Sequence, residues 1–161
     1  REIGFLGIER RNSQITMIRE TAFKDSLHNF GISIEPGWFV YSKDFDEESG
    51  YQAMKRMLAQ GGPLPKALFA VTDLLAFGAM RALKEHGYSI PGDISIIGCD
   101  DIDACRYTDP TLTTIRQDRE KIGRMAAMML YDLINKQLAT TSTMIDPELV
   151  IRQSCADNRF S

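Results

Sequence analysis

Five side chains in this sequence are of types suited to holding a small polyhydroxy molecule: Arg19, Phe45, Thr72, Asp73 and Asp100. Guanidinium and carboxylate groups hydrogen-bond neighbouring hydroxyls with charge assistance, while an aromatic face covers the C–H side of a sugar ring. Asp44 and Asp101 add acids beside Phe45 and Asp100. Each residue also has a plainer use. Arg19 can lead its charge out to solvent from beside an apolar stripe, and Phe45 can be ordinary core. Thr72 or Asp73 can cap a helix, and one of Asp100 and Asp101 can serve a turn. Two adjacent acids directly after an apolar run fit that plainer use least, and the set as a whole points to binding.

Catalysis finds no comparable support. The sequence holds no GxSxG elbow, no Walker loop and no GxGxxG spacing. Paired catalytic carboxylates face one another across a substrate, whereas the sequential Asp100 and Asp101 point apart at a strand end. His28 and His86 fall on expected helices without a ligand partner nearby. Cys99, Cys105 and Cys155 form an odd set without CxxC spacing. The expectation is therefore no enzyme, no metal, no cofactor and no disulfide framework, in a reducing cytoplasmic setting.

The five residues collect only if the chain alternates strands with helices. Apolar runs at residues 3–7, 38–41, 67–71, 94–99, 112–115 and 149–153 read as strands. Between them, residues 15–30, 49–60, 73–86 and 118–135 carry apolar side chains at helical spacing. The expected inward stripes are Ile15, Ile18, Ala22, Leu27 and Phe30 in the first helix, and Met54, Met57 and Leu58 in the second. In the third they are Leu74, Phe77, Met80 and Leu83. In the fourth, Ile122, Met125, Ala126, Met129, Leu130 and Leu133 fall on one side. Such alternation gives βαβ units, hence an α/β fold with a parallel, doubly wound sheet and helices on both faces. In an open sheet of this kind ligands bind beyond the carboxyl ends of the strands. Arg19, Phe45, Thr72, Asp73 and Asp100 all follow strands, so they meet at one edge.

Bulk properties agree. The chain has 161 residues, 43% hydrophobic and 25% charged, an ordinary globular balance. A net charge of −3 and the lack of any long Lys/Arg run leave no electrostatic footprint for nucleic acid. No apolar run approaches the roughly 20 residues needed to span a bilayer.

The stretch PKALFAVTDLLAFGAMRALKEHGYSIPGDISIIG at residues 65–98, followed by CDDIDACRYTDPTLTTIRQD, resembles the effector domain of the lactose-repressor (LacI/GalR) family. LTTIRQ at residues 112–117 is especially typical. Upstream, IGFLG, IRETAFKDSL and FDEESGYQAMKRML resemble that family in order and spacing. The resemblance implies a periplasmic-binding-protein-like (type I) lobe. Residues 1–161 would be the C-terminal lobe of an effector-binding domain, with residues 113–147 crossing to an N-terminal lobe. That lobe and a helix-turn-helix head would precede Arg1. It further implies a cytoplasmic, homodimeric repressor whose small effector, a sugar or a purine, alters operator affinity. DNA would be met only through the helix-turn-helix, and no membrane is involved.

By position, Arg19, Phe45 and Asp100 match family effector contacts. Thr72 stands where many members carry Asn before the same Asp. Arg119 stands where sugar-sensing relatives can place an aromatic residue. Phe77, Arg81 and Tyr107 are the implied dimer-interface candidates. A periplasmic sugar-binding receptor of a transport system shares the lobe architecture and is the alternative reading.

Overall fold

The β-rich runs pair into one six-stranded sheet in the order β2-β1-β3-β4-β5-β6. A computed structural model describes residues 2–9, 14–135 and 142–156. The strands are β1 (Ile3–Ile8), β2 (Phe39–Ser42), β3 (Ala67–Ala70), β4 (Ser95–Cys99), β5 (Thr113–Arg116) and β6 (Glu148–Val150). The helices are α1 (Gln14–Asn29), α2 (Glu47–Ala59), α3 (Asp73–Glu85) and α4 (Arg119–Ile134). Strands β1 to β5 are mutually parallel, as the alternation predicts. Strand β6 is antiparallel to β5, so the sheet is mixed at that edge. Periodicity alone does not reveal the direction in which a strand joins the sheet.

Strand alternation sends Phe5, Phe39 and Phe69 to one face and Leu6, Val40, Leu68 and Ile96 to the other. Helix α1 covers the aromatic face. Phe23 lies 5.4 Å from Phe5 and 5.5 Å from Phe69, ring centre to ring centre. Its inner stripe is Thr16, Glu20, Phe23 and Leu27; of the expected stripe Leu27 is buried, whereas Ile15, Ile18, Ala22 and Phe30 are exposed. Glu20 is tolerated inside because Tyr41 donates to its carboxylate at 2.8 Å and Lys24 at 2.5 Å. A polar residue with donors from Tyr41 and Lys24 thus takes the inner face of the helix, against its apolar reading.

Helices α2 and α3 cover the other face, burying Met54, Met57, Leu75, Met80 and Leu83. They approach closely because Gly50 and Gly78 meet. A methyl group on Gly78 would lie 2.0 Å from the carbonyl oxygen of Glu47. The inner stripe of α3 is accordingly rich in small residues, Ala76, Ala79 and Ala82, and Leu74 is exposed rather than core. Thr72 and Asp46 cap α3 and α2 by accepting from Leu75 and Ser49.

The chain leaves the sheet after Arg116, since Thr113–Arg116 is itself the fifth strand. Helix α4 follows, capped by Asp118, with no buried residue. Ile122, Leu130 and Leu133 of its apolar side are exposed, and Met128 and Ile134 are exposed too. The helix does not fold back onto the sheet.

Candidate functional site

Strand order reverses between β1 and β3, so the loops leaving these strands diverge and open a crevice at their carboxyl ends. Arg19 spans it. One amino group of its guanidinium donates to the carbonyl of Val71, the residue after β3. The other lies 3.9 Å from the carboxylate of Asp100, just past β4. The switch point and the β4 end are therefore tied by one side chain.

Asp100 and Asp101 adopt positive φ angles of 124° and 50°. Such backbone is uncommon outside glycine, costs of order 1–3 kcal/mol where strained, and gathers at functional sites. The pair is held there by β5: the Asp100 amide donates to the Ile115 carbonyl at 2.9 Å and that of Asp101 to the Thr114 hydroxyl at 3.4 Å. Burial pushes the Asp100 carboxyl above its usual range despite Arg19 and Arg119 nearby. The 3.9 Å separation leaves the Arg19 pair too loose to offset that burial. Gln117 donates to the same carboxylate at 3.2 Å.

Thr72 is half-buried next to Val71. Its hydroxyl accepts from the Leu75 amide at 3.3 Å as the cap of α3. Capping uses an acceptor site only, so the hydroxyl hydrogen is still available to a ligand. Phe45, 47% exposed, lies in the loop between β2 and α2, which leaves the same end of the sheet.

Asp73 has another place. It is 1% exposed. One oxygen accepts from the Thr114 hydroxyl at 2.5 Å and the other from the Ile102 amide at 2.9 Å. The Cys105 thiol, pushed up to about 12 by burial and by its hydrogen bond to Asp73, closes the inner side. Gly98 makes room, since a methyl group there would sit 2.3 Å from an Asp73 oxygen. Asp73 locks the end of β4 and β5 beneath the site and turns no free oxygen to a ligand.

Gln117 was not among the sequence candidates. Its only signal was its place at the end of the LTTIRQ stretch, and its approach to Asp100 depends on β5 lying beside β4. The three interface candidates do come together: Phe77, Arg81 and Tyr107 line one groove with Met80 and Ala104. Tyr107 is 84% exposed. Arg81 already spends its guanidinium on Glu47 at 2.9 Å and Glu48 at 2.5 Å, and stacks 4.2 Å over the Tyr51 ring. Among the described residues no group of three or more His, Cys, Asp or Glu side chains could hold a metal ion, and the described cysteines are free. None of the described helices is long and apolar enough to cross a membrane.

A doubly wound α/β lobe with a polar edge at its switch point is the architecture of a ligand-binding lobe. Residues 1–155 match the family model described as a periplasmic binding protein-like domain. The chain belongs to that family, as an effector-binding domain of its LacI/GalR branch.

The HTH-type transcriptional repressor PurR of Klebsiella pneumoniae (strain 342) is 40% identical over 162 residues, 99% of this chain and 46% of the relative. A LacI-family transcriptional regulator from Enterococcus faecium, solved with bound ribose, is similar with a TM-score of 0.81 and 32% identity, over 96% of this chain and 56% of that one. The lac repressor dimer bound to operator and an anti-inducer gives a TM-score of 0.87 and 29% identity, over 97% and 53%. The chain thus spans about half the length of these relatives.

Proposed function

We propose that this chain is the C-terminal lobe of the effector sensor of a transcriptional repressor, and that its strand-end edge forms one wall of the effector pocket. The observation that carries this is the Arg19 bridge from Val71 to Asp100 across the switch point, with Asp100 held in a strained backbone. Arg19, Asp100, Gln117 and the Thr72 hydroxyl offer donors and acceptors to a small polar ring such as a sugar, and Phe45 offers an aromatic face. Asp73 positions the Asp100 loop from below. The effector alters operator affinity through a helix-turn-helix outside this chain, and the protein works in the cytoplasm. The similarity to PurR and the lac repressor, together with the unpaired cysteines, favours this reading over a periplasmic transport receptor.

In this reading the wall opposite Asp100 belongs to a second lobe, and the apolar face of α4 packs into that lobe. The groove lined by Phe77 and Tyr107 is the homodimer face, with Arg81 serving mainly to bind α2 to α3. The test is calorimetric titration of the intact polypeptide carrying this lobe with ribose and with hypoxanthine. The probe that binds should lose affinity in the Asp100→Asn protein. Asparagine keeps the size and the tolerance of positive φ, so the change removes the charge and one acceptor oxygen. Losing a hydrogen bond to a charged group costs roughly 1.5–3 kcal/mol, about ten- to a hundredfold in affinity. Unchanged affinity would remove Asp100 from the site.

A further inference from the structure

Asp101 has partners unlike those of its neighbour. It is buried, and each carboxylate oxygen takes one guanidinium: Arg116 donates to one and Arg152 to the other, both at 2.6 Å. Its carbonyl oxygen accepts from Arg119 at 3.1 Å. These three arginines mark three points on one excursion of the chain. Arg116 ends β5, Arg119 opens α4, and Arg152 lies two residues past β6. Arg116 also donates to Glu148 at 3.0 Å, and Arg152 to the Leu112 carbonyl at 2.7 Å. Outgoing strand, following helix and returning strand are therefore all fastened to the residue that ends the β4 loop.

We propose that Asp101 is the positioning residue of this crossing, setting where the chain leaves the sheet after Arg116 and where it returns. The side chain works through the arginines. Removing a partner from a buried ion pair leaves a charge uncompensated; here that charge is on Arg152, while Arg116 keeps Glu148, and both arginines lie on the crossing rather than in the core of the sheet. Because Asp100 precedes it directly, a shift of the strand-end loop is carried to the crossing without an intermediate. That last link rests on the strand-end reading above, whereas the fastening of the crossing does not.

The experiment is amide hydrogen exchange by mass spectrometry on the whole chain, comparing the parent with Asp101→Asn and with Gly78→Ala, which disturbs the α2–α3 contact instead. No effector is needed, so the result is independent of whether Asp100 contacts a ligand. In Asp101→Asn, exchange in Thr113–Arg116, in Glu148–Val150 and at the start of α4 should rise about tenfold or more, with β1, β3, α2 and α3 within about twofold of the parent. Gly78→Ala should show the reverse distribution. Should Asp101→Asn fail to fold, Arg152→Gln removes one arm only and is read in the same way. A uniform rise, no rise at the crossing, or failure of both variants to fold would each overturn the proposal, since Asp101 would then serve stability at large.

Discussion

Replacing Gly78 with alanine puts a methyl group where α2 already runs. The new carbon would lie 2.0 Å from the Glu47 carbonyl oxygen, 2.4 Å from the Tyr51 amide nitrogen and 2.9 Å from the Gly50 carbonyl carbon. All three are backbone atoms, so no side chain can swing aside. Ordinary contact begins near 3.4 Å, and α3 must therefore back away from α2 by more than about 1 Å. Overpacking a close-packed core costs typically 1–3 kcal/mol, occasionally more, and a rigid backbone obstacle belongs at the upper end. Alanine returns roughly 1 kcal/mol in helix propensity over glycine. The balance is a loss of about 2 kcal/mol or more, and for a domain of this size each kcal/mol lowers Tm by roughly 2–4 °C.

The site should feel the same change, because α3 opens with Thr72 as cap and Asp73 as the lock beneath Asp100. Urea denaturation of Gly78→Ala beside Gly123→Ala isolates the cause. Gly123 lies in α4 with nothing within 4 Å of an added methyl group, so there propensity acts alone and the variant should gain roughly 0.5–1 kcal/mol. A Gly78→Ala protein as stable as its parent would refute the close-contact reasoning.

Two further outcomes follow from charge and exposure. Burial would raise the Asp101 carboxyl, but its hydrogen bonds to Arg152 and Arg116 prevail and hold it below the ordinary 3.8. Its contribution is then fully present above that value and is lost as pH falls through the lowered one, so the stability gap between parent and Asp101→Asn in urea titrations should shrink on acidification. The exposed apolar stripe of α4, including Ile122, Leu130 and Leu133, makes the isolated chain pair with a second copy, because contiguous apolar patches rarely stay exposed on monomers; light scattering behind a sizing column should show a dimer at tens of micromolar, and a clean monomer would refute pairing.

The sequence makes the order and type of the elements legible because strand and helix periods differ and Gly31, Gly61 and Gly87 close α1, α2 and α3. Which helix face turns inward is less legible. In α1, Ile15 and Ile18 outcompete Glu20 on hydrophobicity, yet Glu20 is inside, since the decisive partner is Tyr41 on a strand more than a turn of sequence away. In α3, Leu74 loses to Ala76 and Ala79 because two glycines draw the helices together, a tertiary demand invisible in one helix. The antiparallel β6 and the role of Gln117 depend on strand adjacency. Arg19 and Asp100 were readable from their position after strands, and Asp73 looked identical to them by that criterion. What separates it is Gly98 and Thr114, which give its carboxylate a pocket of its own.

Asp100 and Asp101 show how two identical neighbouring residues acquire opposite work. Asp101 has a guanidinium at 2.6 Å on each oxygen, and its charge is fully compensated inside the protein. Asp100 has Arg19 at 3.9 Å and an amide donor at 3.2 Å, and burial still holds its carboxyl above the usual range. A carboxylate that has lost part of its water without gaining close donors is where an arriving hydroxyl gains most, since a hydrogen bond to a charged acceptor is worth about twice a neutral one. A saturated carboxylate gains nothing from a ligand and can only hold structure. In the proposed function, binding free energy at this edge would therefore be concentrated on Asp100 and the incompletely engaged face of Arg19. The strained turn that places Asp100 there persists because Asp101, one residue on, is clamped.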